Sequence, residues 1–354
     1  MAATSAPSAA TPNVPPTIRA HRQRAGGGAG HRSVARELEC RLPHTPAQRV
    51  PPHEDRYPAS PPRNDEPHVP FQRVALVVHP TRQIDRVIGT LQRWTDDEGL
   101  ELVQLGAEGS RRFVAPAGTV TGADLVVALG GDGTVLAALR LAAGTRTPVL
   151  GVACGSLGAL SAVTAAELDG ALDRFRSGDW ITRSLPALEM TLEDGADWAI
   201  NDVVLVRRGA GQIAADVAID DELYVRLAGD GVIVATPLGS SAYSLAAGGA
   251  ILPTGTPAFL CTPLAMHAGS AAPLVVPADA ALTIDVDPGY AGFDVEIDGQ
   301  RRHLAGTRFR FALHEDRVSL VTFATTGRGL AGLRRRGIIA DSPRIAIRDS
   351  RTKR

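Results

Sequence analysis

From residue 73 onward, apolar and polar positions fall into two regimes. In the first, short unbroken apolar runs alternate with amphipathic stretches. Residues 74–79 (VALVVH) form one such run, and Pro80 closes it. A strand covered by helices on both faces has this composition. Residues 84–98 place Ile84, Val87, Ile88, Leu91 and Trp94 on one side at helical spacing. Residues 100–105, 124–129 and 148–152 read as further strands, and a helix runs from Val135 to about Ala143. Alternating strands and helices predict a parallel α/β sheet.

Near Arg183 the pattern changes. Short β-like segments follow one another at residues 187–192, 198–206, 213–219, 222–227, 232–236, 282–286 and 293–297. Turn residues separate them, Asp220-Asp221 among them. Residues 309–313 and 319–323 read as two more strands. The predicted fold is an N-terminal Rossmann-like parallel α/β domain at 71–182 and a C-terminal β-sandwich-like domain at 183–301, with 302–336 returning to the first. Residues 1–70 lack apolar periodicity and hold 13 of the 25 prolines and five of the nine histidines. They read as a disordered extension. No apolar h-region follows Met1, which argues against a secretory signal.

Composition narrows the function classes. A formal charge of −1 over 354 residues gives no global field for nucleic acid or anionic membranes, so neither is expected as a partner. No apolar run reaches the roughly 18 residues that span a bilayer. Cys40, Cys154 and Cys261 are odd in number and widely spaced, which suits a reducing cytoplasm. The only lysine is Lys353. A P-loop needs a lysine right after its glycines and a protein kinase needs a strand lysine, so both scaffolds are excluded.

The chemistry concentrates where the third apolar run ends, at Gly130-Gly131-Asp132-Gly133-Thr134. In open parallel sheets, ligands bind outside the carboxyl ends of strands. Glycines let backbone N–H groups approach phosphate oxygens, and a helix N-terminus favours anions. Phosphate repels carboxylate, so Asp132 needs another role. As a general base toward a hydroxyl that attacks the phosphate, it would contribute about 10²- to 10⁴-fold. A divalent cation such as Mg²⁺ bridging the phosphates would offset the local negative charge. The simpler alternative is a helix cap in a tight strand-to-helix turn.

A second constellation is DGVIVATPLGSSAYSLAAGG, residues 230–249. An apolar strand ends at Thr236-Pro237; small residues, the hydroxyls of Ser240 and Ser241, and the Tyr243 ring follow. Small residues let a flat nucleobase approach the backbone, hydroxyls bond ribose or phosphate oxygens, and Tyr243 offers a stacking face. A turn with a serine helix cap is the alternative. Asn201-Asp202 puts two polar residues at a strand start, normally just a turn or strand edge.

Together these elements resemble the NAD kinase (ATP–NAD kinase) family, whose recurrent features are a GGDGT turn, an Asn-Glu or Asn-Asp pair and a DG-strand–TPTGSTAYSLSAGG segment. Weaker echoes are Gly155–Gly158, Pro263–His267, Pro273–Pro277 and Asp298-Gly299-Gln300. The resemblance covers about residues 73–335. It implies transfer of the terminal phosphate of ATP, or of polyphosphate, to the adenosine-ribose 2′-hydroxyl of NAD, by a two-domain and commonly homo-oligomeric enzyme. It further implies Asp132 as base and Gly130, Gly131, Gly133 and Thr134 as the phosphate loop. Asn201, Asp202, Asp230, Thr236, Ser240, Ser241, Ala242, Tyr243 and His267 would then bind NAD, with Asp230 toward the nicotinamide and 241–243 at the adenosine.

Three positions depart from the family pattern. Ala159 stands where a phenylalanine meets the base, Leu238 where the third residue of TPTG is Thr or Ser, and Ala272 where an arginine is frequent. A lost aromatic stack and a lost hydrogen bond each cost about 1 kcal/mol. Uncompensated, they weaken substrate binding by roughly 10- to 100-fold. Two rival readings follow: a lipid kinase of the diacylglycerol or sphingosine type, which shares GGDGT, and a nucleotide-binding regulator without catalysis.

Overall fold

The computed structural model describes residues 71–106, 112–193, 195–267, 269, 271–323, 333–334 and 337–345. The extension read at 1–70, Cys40, Arg335, Arg336 and Lys353 lie outside the described residues. The first half of the chain runs β1 (Arg73–Val78), α1 (Asp85–Asp97), β2 (Glu101–Leu105), β3 (Ala117–Gly118), β4 (Leu125–Gly130), α2 (Asp132–Ala142), β5 (Val149–Ala153), β6 (Val163–Thr164) and α3 (Leu168–Arg176). The second runs β7 (Ile181–Leu192), β8 (Gly195–Ala199), β9 (Asp202–Arg207), β10 (Ile213–Ile219), β11 (Glu222–Ala235), α4 (Tyr243–Ala246), β12 (Ala258–Met266), β13 (Leu274–Pro277), β14 (Leu282–Asp287), β15 (Phe293–Ile297), β16 (Gln300–Arg302) and β17 (Arg308–Thr322).

β2, β1, β4 and β5 pair in parallel in that order. The period-2 alternation of a strand sorts their side chains between two cores. Ala75, Val77, Val126 and Ala128 face α2 through Val135, Ala138 and Leu139. Val74, Leu76, Val78, Val127 and Leu129 face α1 and α3 through Leu91, Trp94, Leu172 and Phe175. Both faces are covered, so both alternating sets are apolar.

The β-rich half is antiparallel. β14 pairs with β10, β10 with β11, and β11 with both β12 and β9; β9 pairs in turn with β15. Inward-facing residues from these strands, with Phe309 and Phe311 of β17 and Leu188 and Met190 of β7, form one further core. β17 joins the halves: it pairs antiparallel with β7 along most of its length and in parallel with β5 at Leu320.

Strand boundaries differ from the sequence expectation at four places, the first being β7, which starts at Ile181 rather than at 187. The run 198–206 is two strands, broken at Ile200-Asn201. Segments 222–227 and 232–236 are one 14-residue strand, β11, that passes through Gly229-Asp230-Gly231. There the neighbouring strands crowd in: a Cβ at Gly229 would come within 2.7 Å of the Ala265 carbonyl, and one at Gly231 would strike the Leu205 carbonyl. These glycines admit close backbones rather than ending a strand. Segments 309–313 and 319–323 are likewise one strand, with a register irregularity between His314 and Val318. The strands at β12 and β13 carry no period-2 signal clear enough to expect them.

Candidate active site

The glycine turn closes β4 and opens α2. Gly131 is the helix cap residue, in extended backbone, and Asp132 is the first helical residue. Gly130 has to be glycine, since a Cβ there would run into the Thr134 side chain. Asp132 does not cap its own helix. Its carboxylate reaches across to the loop after β5, where Oδ2 accepts from Ala159 N–H (2.9 Å) and Oδ1 from Leu160 N–H (3.1 Å). Gly158 makes room, because a Cβ there would collide with Asp132 Oδ1. The half-buried carboxylate therefore holds a fixed orientation beside the N-terminus of an 11-residue helix. A fixed carboxylate is what a base needs; first-turn N–H groups are what a phosphate needs.

Asn201 and Asp202 form a corner between β8 and β9. Asp298 builds it. Asp298-Gly299 is a two-residue turn joining β15 to β16, with positive φ at both residues (50° and 75°). Such a turn favours Asp-Gly. The Asp298 carboxylate accepts from the N–H groups of Ile200 (3.1 Å), Asn201 (2.6 Å) and Asp202 (3.3 Å). Asp202 is 5% exposed, and burial together with the Asp298 charge pushes its carboxyl up to about 7. The Tyr243 N–H bonds this carboxyl and pulls the other way.

The 236–243 segment closes on the same corner. Thr236 N–H donates to the Asn201 carbonyl (2.9 Å) and Thr236 Oγ1 to the Ile200 carbonyl (2.7 Å). A Cβ at Gly239 would collide with the Asn201 carbonyl. Thr236 and Ser240 are fully buried, and the Ser240 hydroxyl is spent on Pro237 and Leu252. Ser241 Oγ donates to the Leu238 carbonyl (3.2 Å), while Ala242 and Tyr243 are exposed at the start of α4. So the hydroxyls shape the loop, and the exposed face is Ala242 and Tyr243.

Helix α2 gathers these parts. Its apolar face packs in one core with Leu160 and Ile200, and Ala159 and Leu238 pack against that core together. Two of the three departures therefore pack against the same core. The third, Ala272, is exposed. From the far end of α2, Arg140 donates to the Ile297 carbonyl (3.3 Å) and to Gln300 Oε1, at the turn that carries Asp298.

Asp230 and His267 stand in a separate group. Arg207 Nε donates to Asp230 Oδ1 at 2.6 Å, and His267 Nε2 does so at 3.1 Å. His267 Nδ1 meets the Gln212 side-chain amide at 2.8 Å. The Arg207 hydrogen bond holds the Asp230 carboxyl below its ordinary range. Sequence reasoning did not find Arg82, Arg140, Arg207 or the anchoring work of Asp298. The Asp-Gly dipeptide at 298–299 was the available signal for the last.

Two family models match. ATP-NAD kinase N-terminal domain fits residues 110–180, and ATP-NAD kinase C-terminal domain fits residues 200–311. An NAD kinase of Heliobacterium modesticaldum is 42% identical over 183 residues, 50% of this chain and 65% of that protein. An NAD kinase of Chlorobaculum tepidum is 32% identical over 240 residues, 66% of this chain and 84% of that protein. The chain belongs to the NAD kinase family. Its match spans slightly under two thirds of the length of the first of these NAD kinases. The crystal structure of yeast NADH kinase complexed with NADH has the same fold, with TM-score 0.65 and 23% identity, covering 77% of this chain and 89% of that one. The Asp132 turn lies in the segment matched by the N-terminal NAD kinase model, and the Asn201, Thr236–Tyr243 and Asp298 elements lie in the C-terminal one.

Proposed function

We propose that this protein is an NAD kinase, transferring the terminal phosphate of ATP, or of polyphosphate, to the 2′-hydroxyl of the adenosine ribose of NAD. The observation that carries this reading is Asp132, locked by two backbone N–H groups at the mouth of the phosphate turn, in a chain of this family. In the proposed step Asp132 takes the 2′-hydroxyl proton. The ribose oxygen forms the new bond to the terminal phosphorus, and the bond from that phosphorus to the bridging oxygen breaks, its electron pair leaving on that oxygen as part of ADP or, with polyphosphate, of the chain shortened by one phosphate. First-turn N–H groups of α2 bear the charge on the phosphate. A divalent cation such as Mg²⁺, when bound through the phosphates, neutralises developing charge there. In this proposal the donor's phosphates carry the cation.

Asn201, Asp202, Ser241, Ala242 and Tyr243 form the adenosine side of the NAD site in this reading, shaped by the buried Thr236 and Ser240. Asp230 and His267 serve its nicotinamide end. The 71–182 and 183–301 segments act as two domains with 302–336 returning to the first, and the protein works as a homo-oligomer in the cytoplasm. Cys154 and Cys261 are both unpaired, as suits a reducing compartment. Among the described residues no helix is long and apolar enough to cross a membrane. The test is NADP formation from a panel of donors (ATP, polyphosphate) and acceptors (NAD, NADH, diacylglycerol, sphingosine). NADP from NAD supports the reading; phosphorylation of a lipid alone, or of nothing, refutes it. Sedimentation showing only monomer at micromolar concentration would refute the oligomer.

A further inference from the structure

Arg82 sits in the loop after β1, outside both segments matched by the family models. Its guanidinium reaches the loop that follows β5. Nη1 donates to the Cys154 carbonyl at 3.4 Å, and a Cβ at Gly155 would press to 2.8 Å from that nitrogen. Nη2 lies 4.0 Å from where a Cβ of Gly131 would stand. The cation thus bonds the turn that follows β5, where glycine at 155 makes room for it, and stands within reach of the turn that follows β4. The loop is held in place. Arg82 N–H donates to His79 Nδ1 (3.2 Å), and its carbonyl accepts from Arg112 Nη1 (2.8 Å). A second guanidinium therefore backs the first. Burial and these two arginines push the His79 imidazole below its ordinary range, as a cationic neighbourhood would.

Next to this guanidinium opens a cavity of about 670 Å³, between α1 and the segment that follows β5. Val87, Ala153 and Ala165 supply apolar wall, and Arg86, Thr90 and Thr164 supply polar rim. Cys154 and Gly155, the two residues Arg82 touches after β5, line it too. Its size falls in the ~300–1,000 Å³ range of small-ligand sites.

We propose that this cavity takes the base and ribose of the donor nucleotide, and that Arg82 clamps the donor's phosphate chain across the two glycine turns, with the terminal phosphate toward Asp132. The proposal rests on the kinase reading above and adds the donor's path to it. A planar guanidinium suits two phosphate oxygens at once. With Lys353 the only lysine in the chain, an arginine has to fill this role.

Calorimetry with ATP and with inorganic tripolyphosphate tests it, because tripolyphosphate has the chain but no base. Arg82→Ala weakens both ligands by about tenfold or more, the effect of losing a charge-assisted contact. Ala165→Trp, filling the cavity, weakens ATP at least tenfold and leaves tripolyphosphate within twofold; Thr90→Trp does the same from the opposite wall. NAD affinity stays unchanged in all three. Unchanged ATP affinity in Arg82→Ala, or in both tryptophan variants, overturns the proposal. So does parallel loss of tripolyphosphate in the tryptophan variants. Wild-type protein that shows this binding pattern yet makes no NADP refutes the kinase reading and leaves the nucleotide site standing.

Discussion

At the residue scale the site is a set of carboxylates that each hold a piece of backbone. Asp132 holds 159–160, Asp298 holds 200–202, and Asp202 meets the N–H of Tyr243. Asp202 makes a test by pH. Its folded carboxyl stands at about 7, above its ordinary value. The native state then binds a proton more readily than the unfolded chain. Its contribution to stability is largest at low pH and falls as pH rises from its ordinary range through 7. Asp202→Asn cannot ionise, so its melting temperature relative to wild type rises between pH 5 and pH 8; a gap that stays constant with pH contradicts this. Gly158→Ala drives a methyl into the Asp132 carboxylate, costing roughly 1–3 kcal/mol of overpacking and moving the base. Thermal melts and kcat should both drop, and a fully active variant would show that the loop yields freely. Asp132 was legible in the sequence because strand, glycines and carboxylate are contiguous. Asp298 and Arg82 were not, since their partners lie some 97 and 72 residues away; the Asp-Gly dipeptide marks a turn at 298 without marking what its carboxylate holds.

At the scale of elements, helix α2 connects the Asp132 turn with the Asn201-Asp202 corner. Its first residue is the proposed base, and Arg140 near its end reaches the β15–β16 turn that fixes Asn201-Asp202. Arg140→Ala removes about 1 kcal/mol of hydrogen bonding. The expected result is a several-fold rise in KM for NAD with KM for ATP unmoved. A rise in both, or in neither, would show that the tether does not position the corner. The parallel strands were readable because double-sided burial makes them uniformly apolar. β11 was misread as two strands because Gly229 and Gly231 look like a break. Only the crowding of β12 and β9 against them shows why a continuous strand needs them. The split at Ile200-Asn201 was missed for the opposite reason: an apolar residue kept the pattern going where Asp298 captures the backbone.

For the whole molecule, the described cores, the turn and the corner all lie between residues 71 and 323, and the family models match only within 110–311. Removing residues 1–70 is therefore expected to leave kcat and melting temperature nearly unchanged; a large loss of kcat would assign that segment a part in the site. The molecule-wide claim is that the folded halves bring one carboxylate to the point where phosphate and ribose meet. Its most direct test is the kcat for NADP formation by Asp132→Asn beside wild type, with ATP, Mg²⁺ and NAD saturating. The expected result is a fall of at least about 10²-fold, with both substrates still bound to within a few-fold and the fold intact by melting. A kcat within tenfold of wild type would contradict it, leaving Asp132 as a tether for the 159–160 loop and no more.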